Sequence, residues 1–340
     1  METLYLGGYT RSNNRGIHLL QFNFQKKTIA THHLLIEEQN PTYFTLSKDG
    51  NHLYTLSEKE RPGVSHYQKI GKSFHLVDHL AFGQGNGCHL SLDEDRQLLY
   101  QANYHAGSLA VLAIAPNGRL TLQDQIYRQG QGPHPHQDKS HCHFIHLDPT
   151  GNYLLACDLG SDQVLTYTLT PTNTLHLYST YHSLPGSGPR HFIFHPNGHI
   201  VYIINELTAT LDIARFQDGT LTRIGQVLSQ ATPFPKDNSA AALKISQDGR
   251  FLYVSNRGAN TLSCLQISPD GQSLTLLQTL PSGGDFPRDF TLFADDQFLL
   301  VGHQKEAKIT LFERDAQTGL LTLLPTSAPL DEIVCCLASD

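Results

Sequence analysis

The sequence predicts an all-β fold, a seven-bladed β-propeller with four antiparallel strands per blade, and three observations carry that prediction. One hairpin pattern recurs seven times, its copies fall 45 to 55 residues apart, and the two ends of the 340-residue chain are halves of one copy. In chain order the unbroken copies are "PTYFTLSKDGNHLYTLSE" from Pro41, "GCHLSLDEDRQLLYQANY" from Gly87, "SHCHFIHLDPTGNYLLACDLG" from Ser140, "GPRHFIFHPNGHIVYIINEL" from Gly188, "SAAALKISQDGRFLYVSNRG" from Ser239 and "FPRDFTLFADDQFLLVGHQ" from Phe286. Each is an apolar alternating run, a tight turn of Asp-Gly type and a second apolar run that ends in polar residues, the pattern of an antiparallel hairpin.

Aligned on the aromatic or leucine of the second run, the copies fall at Tyr54, Tyr100, Leu155, Tyr202, Tyr253 and Leu300. The seventh anchor is Tyr5. Residues 337–340 followed by residues 1–5, "LASD" then "METLY", overlay "LSKDGNHLY" of residues 46–54 without a gap. Pairing the C-terminal strand with the N-terminal one would close the ring and hold both chain ends in a ladder. Weaker β patterns between the copies, such as "AVLAIAPNGRLTLQDQIY" and "LSCLQISPDGQSLTLLQTL", supply the second hairpin of each unit. No linker interrupts the series, so residues 1–340 are expected to form one domain.

Composition narrows the function. With 39% hydrophobic and 16% charged residues the chain has the make-up of a globular protein able to bury a large core. No apolar run reaches the roughly 18 residues of a membrane span, and the first residues lack a basic region followed by an apolar one, so a cytoplasmic location is expected. Six scattered cysteines without CxxC spacing fit reduced core thiols. A net charge of −7 argues against nucleic acid or anionic lipid as partners. An anionic ligand must therefore be met by a local cluster of bases.

In a propeller blade the start of the first strand lies beside the end of the second, so function is expected twelve residues before each anchor and three or four after it. The first position holds Thr42, Cys88, His143, Arg190, Ala241, Arg288 and Ile333. Four after the anchor stand Glu58, Tyr104, Leu159, Glu206, Arg257, Gln304 and Tyr9, and three after it Ser57, Asn103, Asp158, Asn205, Asn256, His303 and Gly8. All are expected at one mouth of the channel. A wet, merely polar channel mouth is the plainer alternative, and for Asn103 and Asn256 so is capping of a strand end.

The segment "GQGPHPHQDKSHCHFIH" contains His134, His136, His141, His143 and His146. Clustered histidines suggest a metal. On a regular strand, however, His141, His143 and Ile145 share one face and Cys142 and His146 the other, so the five cannot converge. His143, with His141 beside it, is the candidate there.

At "SHCHFIHLDPTGNYLLACDLG", "GPRHFIFHPNGHIVYIINEL" and "SNRG" the chain resembles the lactonase family of seven-bladed propellers, which includes a bacterial 6-phosphogluconolactonase and the fungal carboxy-muconate lactonizing enzyme. The resemblance covers essentially the whole chain, the split blade included. It implies that His143, Arg190, Glu206 and Arg257 match the family's active-site His, Arg, Glu and Arg, with Arg288 of "FPRDF" matching a further arginine. Asp158, His141, Asn205 and Gln304 are the accompanying substrate-binding candidates. His303 stands where the family often has Asn.

The resemblance implies lactone hydrolysis without a metal or other cofactor, on a small anionic substrate, with 6-phosphogluconolactone foremost. Histidine has the pKa range for a general base, and arginine binds phosphate or a developing oxyanion. Asp158 is expected to fix the tautomer of His143, and Glu206 to orient an arginine or a sugar hydroxyl. Three other readings stand beside this one: a carboxymuconate-type lactonizing enzyme, a calcium-dependent lactonase using Asn103, Asp158, Asn205, Glu206 and Asn256, and a non-catalytic binding propeller. The chain has no Trp, which excludes WD40 repeats. Neither a GxSxG elbow nor a P-loop is present.

Overall fold

The computed structural model describes residues 1–339. It forms seven four-stranded antiparallel sheets, one for each repeat, as a seven-bladed propeller requires. Six sheets are continuous in sequence, covering residues 44–81, 89–127, 142–182, 189–228, 239–281 and 287–328. The remaining sheet takes its first strand, Ile333–Ala338, from the end of the chain and its other three, Glu2–Gly8, Gly16–Asn23 and Thr28–Glu37, from the beginning. Tyr5 pairs with Leu337 and Leu4 with Ala338, so the two ends form one hairpin as the split repeat predicts. Among the described residues there is no α-helix, and no helix long and apolar enough to cross a membrane.

Burial explains the sequence pattern. Second strands such as Leu98–Asn103, Ile200–Asn205 and Phe298–His303 are buried along their whole length. Outermost strands such as Thr28–Glu37 are mostly exposed and carry the weaker, polar pattern. The chain divides into two compact units. The unit of residues 1–40, 193–214 and 223–340 has cores in which Leu4, Leu6 and Phe22 pack with Phe293, Phe298 and Leu311, Tyr202 and Ile204 with Leu243 and Leu252, and Tyr253 and Phe251 with Phe290 and Phe312. The unit of residues 41–192 and 215–222 packs Tyr54 and Leu56 with Leu99 and Leu112, and Tyr100 and Val111 with Ile145 and Leu165.

One irregularity recurs where the site is expected. Between the pairs Cys142–Asp158 and Phe144–Cys157 the first strand has an extra residue, His143. Between Pro287–His303 and Asp289–Gly302 the extra residue is Arg288, and a further slip falls between Ala240 and Leu243. Such a β-bulge reverses the facing of everything beyond it and re-aims the inserted side chain. The expectation that Cys142 and Ile145 lie on opposite faces is corrected accordingly. Both are fully buried in the same core, because His143 takes up the step between them.

Candidate active site

In the unit of residues 41–192 and 215–222, His143 is the centre of an aromatic and basic cluster. It is 5% exposed, with its ring 5.1 Å from that of His191 and 5.8 Å, edge-on, from that of Tyr104. His191 follows Arg190, whose guanidinium Nη1 lies 3.1 Å from His191 Nε2. Guanidinium only donates, so Nε2 is the acceptor and the His191 proton sits on Nδ1. Arg190 is 2% exposed and thereby fixes a tautomer beside His143.

His141 does something different from its neighbour. Its Nδ1 donates to the Tyr104 carbonyl oxygen at 2.9 Å, its Nε2 lies 3.0 Å from the Asp138 carboxylate, and its ring stacks on Tyr104 at 4.2 Å. With both nitrogens engaged, His141 positions Tyr104 against His143. His134 and His136 remain in the preceding loop, and His146 is exposed with Nδ1 bonded to the carbonyl of Leu147.

Asp158 corrects an expectation. Its carboxylate is fully buried and accepts from the Ser140 hydroxyl, the His141 N–H at 2.7 Å, the Gly160 N–H at 3.1 Å and the Ser161 hydroxyl at 2.6 Å. None of these is the His143 ring. Asp158 caps the short turn Leu159–Ser161 and ties it to the segment entering the bulge, so its oxygens are unavailable to fix a His143 tautomer, to bind substrate or to hold calcium.

In the unit of residues 1–40, 193–214 and 223–340, Glu206 Oε2 and Arg257 Nη2 form an ion pair of 2.8 Å, almost wholly buried. Arg257 also donates to the Ala240 carbonyl at 3.0 Å, and its guanidinium lies 5.3 Å from the Phe286 ring centre. Glu206 thus orients an arginine, one of the two roles expected of it. Arg288 Nη1 donates to both the Tyr9 hydroxyl and Gln304 Oε1 at 3.0 Å.

Asn205 is fully buried, and its amide donates to Thr210 Oγ1 at 3.1 Å. Asn256 reaches Thr261 Oγ1 at 3.4 Å and accepts from Ser229, Asn103 accepts from the Ala106 N–H, and His303 Nε2 meets Thr310 Oγ1 at 3.0 Å. The position three after the anchor therefore braces the second strand to the segment that follows, whereas the position four after it carries Tyr104, Glu206, Arg257, Gln304 and Tyr9. Among the described residues no three His, Cys, Asp or Glu side chains group as a metal ion would require.

Sequence reasoning placed Tyr9 and Tyr104 in the frame without a reason to select them, and it missed His191 and Phe286. His191 could have been found only from its contact with Arg190. Phe286 adopts φ +64, a left-handed conformation rare for an aromatic residue and not written in its neighbours.

Seven four-stranded antiparallel sheets define the chain as a β-propeller. The family model described as Lactonase, 7-bladed beta-propeller, matches residues 3–338. The 6-phosphogluconolactonase of Bacillus subtilis strain 168 is 31% identical over 97% of this chain and 96% of its own. A solved structure of a protein from Lactobacillus plantarum superposes with a TM-score of 0.95 at 36% identity, covering all of both chains. The Pseudomonas aeruginosa periplasmic gluconolactonase PpgL gives 0.93 at 26% identity, covering 99% of this chain and 98% of that one. The chain belongs to the lactonase family of seven-bladed β-propellers, and it is a lactone hydrolase.

Proposed function

We propose that the substrate is 6-phosphoglucono-1,5-lactone, opened to 6-phosphogluconate, with His143 as general base. The observation that carries this reading is the placement of His143: an inserted residue, nearly buried, beside a histidine whose tautomer an arginine fixes. The name of the Bacillus subtilis relative supports the phosphorylated substrate.

In the proposed reaction the His143 imidazole takes a proton from water as the water oxygen bonds to the lactone carbonyl carbon. The carbonyl oxygen becomes an oxyanion, which Arg190 stabilises by charge-assisted hydrogen bonds. Collapse re-forms the carbonyl and breaks the bond to the ring oxygen, which receives the proton from the His143 imidazolium. The product is the open acid, ionised at neutral pH. Glu206 keeps the Arg257 guanidinium in one orientation.

The test is hydrolysis of freshly generated 6-phosphogluconolactone by the purified, EDTA-treated protein, corrected for spontaneous opening. His143→Ala is expected to lower kcat by about 10²- to 10⁴-fold, the usual worth of a positioned base. Turnover within a few-fold of the parent would remove His143 from the role, and calcium-dependent activity would replace the metal-free mechanism.

A further inference from the structure

Arginine serves both ends of the proposed substrate, yet the arginines here differ in how much charge they have left to offer. Arg257 is neutralised by Glu206 at 2.8 Å. Arg288 is not: among the described residues no carboxylate pairs with it, and only its Nη1 is engaged, by Tyr9 and Gln304. A second guanidinium meets the same tyrosine. Arg11, which lies outside the repeat frame, places its Cζ 3.9 Å from the Tyr9 ring centre, while that of Arg288 lies at 5.6 Å. Among the described residues no carboxylate pairs with the Arg11 guanidinium either.

We infer that Arg11 and Arg288, gathered on Tyr9, form the subsite that binds the phosphoryl group of the substrate and selects phosphorylated over unphosphorylated lactone. The inference rests on the lactone reading for the identity of the molecule that carries the phosphate.

Two like charges on one ring repel each other. The negative face of the phenol and the Gln304 carbonyl oxygen offset part of that repulsion, and a phosphomonoester carrying about −1.5 to −2 charges would offset the rest. The remaining hydrogen-bonding atoms are suited to an anion. Arg288 keeps Nη2 and Nε, Tyr9 accepts from Arg288 and so keeps its own hydroxyl proton to donate, and Gln304 turns its oxygen to Arg288, which leaves its amide N–H groups. Lys305, next in sequence to Gln304, stands 4.0 Å from the Phe286 ring centre. In a chain of net charge −7 this is the local cluster of bases that an anionic ligand requires.

The backbone on both sides is braced. Glu332 Oε2 accepts from the N–H groups of Arg11 and Ser12 at 2.9 and 3.0 Å and from the Ser12 hydroxyl at 3.1 Å, so this nearby carboxylate serves the backbone of the loop rather than the guanidinium. The Thr10 N–H donates to Asn40 Oδ1 at 2.8 Å. On the other side, the left-handed Phe286 donates its N–H to Asn260 Oδ1 at 2.9 Å and accepts from the Gln304 N–H at 3.0 Å, which sets the start of the strand bearing Arg288. Planar guanidinium donors suit phosphate oxygens, which they bind bidentately.

The experiment uses Arg11→Ala and Arg288→Gln with two readouts. The ratio of kcat/KM for 6-phosphogluconolactone over gluconolactone is expected to fall ten-fold or more in each variant. Calorimetric affinity for glucose 6-phosphate, a phosphomonoester that is not hydrolysed, is expected to weaken by a similar factor. A ratio and an affinity both within two-fold of the parent overturn the subsite even if lactone hydrolysis persists. If the parent opens neither lactone, the hydrolysis reading fails and calorimetry alone decides: sugar-phosphate binding lost in Arg11→Ala upholds the subsite, and no binding, or binding indifferent to both variants, overturns it. Inorganic phosphate, titrated in parallel, separates recognition of the bare anion from recognition of the sugar phosphate.

Discussion

His303 stands in its blade where other blades carry Asn205 and Asn256, and it does their work with a titratable ring. It is fully buried, its Nε2 meets Thr310 Oγ1, which in turn donates to the Ser282 carbonyl, so the Nε2 atom is the one that carries the proton. Nδ1 is buried without a hydrogen-bond partner. Burial first, and then the Lys308 ammonium, push the His303 pKa down to about 4, against a smaller opposing pull from Asp285. The folded state therefore refuses a proton that the unfolded chain accepts below its ordinary pKa of 6.5. Stability from this residue is complete above pH 6.5 and is lost as pH falls toward 4, by about 3 kcal/mol if the whole shift is expressed. Urea unfolding at pH 7.5 and 4.5 is expected to show a pH gap that shrinks by about 2 to 3 kcal/mol in His303→Asn. An unchanged gap would mean that the ring is not an acid-sensitive element of the fold.

At the scale of elements, the bulge is what turns a repeated strand into a functional one, and its setting depends on Asp158. The His141 N–H that Asp158 accepts lies two residues before the inserted His143, and the same carboxylate caps the turn after the partner strand. Removing it leaves two buried backbone N–H groups and two hydroxyls without their acceptor. Asp158→Ala is expected to cost more than about 3 kcal/mol in chemical denaturation, since hydrogen bonds to a charged group contribute about 1.5 to 3 each. A loss under 1 kcal/mol would show that the turn holds without it.

Asp158 also shows where sequence reasoning stopped. The hairpins and their frame were legible because alternation and turn chemistry are local properties of a segment. His143, Glu206 and Arg257 stand out in the sequence because the frame makes equivalent positions comparable. The bulge was not legible, because an inserted residue is defined by the register of the partner strand and not by its own neighbours. The caps at Asp158, Asn205 and Asn256 resembled site residues because Asp and Asn suit both tasks. Arg11 was invisible because it belongs to no repeat and matters only through Tyr9.

At the scale of the whole molecule, what matters is that the chain ends belong to the core rather than to its margin. Ile333 and Cys336, from the C-terminal strand, are buried with Leu4, Leu6 and Phe22 from the N-terminal strands and with Phe298, Leu300 and Leu311. The Cys336 N–H donates to Asp289 Oδ2 at 2.8 Å, which fastens the terminal strand to a second sheet. Gly302 packs so closely that a methyl group there would lie 2.5 Å from Ile333 Cγ2. A chain cut after residue 332 thus loses one ladder, the four buried side chains of Ile333, Val334, Cys335 and Cys336 and a hydrogen-bond partner of Asp289, and it exposes the edge of Glu2–Gly8. Each large apolar side chain truncated in a core costs about 2 to 5 kcal/mol, against a net stability of about 5 to 15 for a typical domain. Ile333→Ala is expected to remain folded with its urea midpoint lowered by an amount in that range, while the cut chain is expected to be unfolded or aggregated at the same temperature. The contrast distinguishes a strand that closes the sheet from one that merely decorates it. If the cut chain showed a cooperative transition within 1 kcal/mol of the parent, the pairing of Leu4 with Ala338 and Gly8 with Ile333 would be dispensable, and the split repeat would need another explanation than closure.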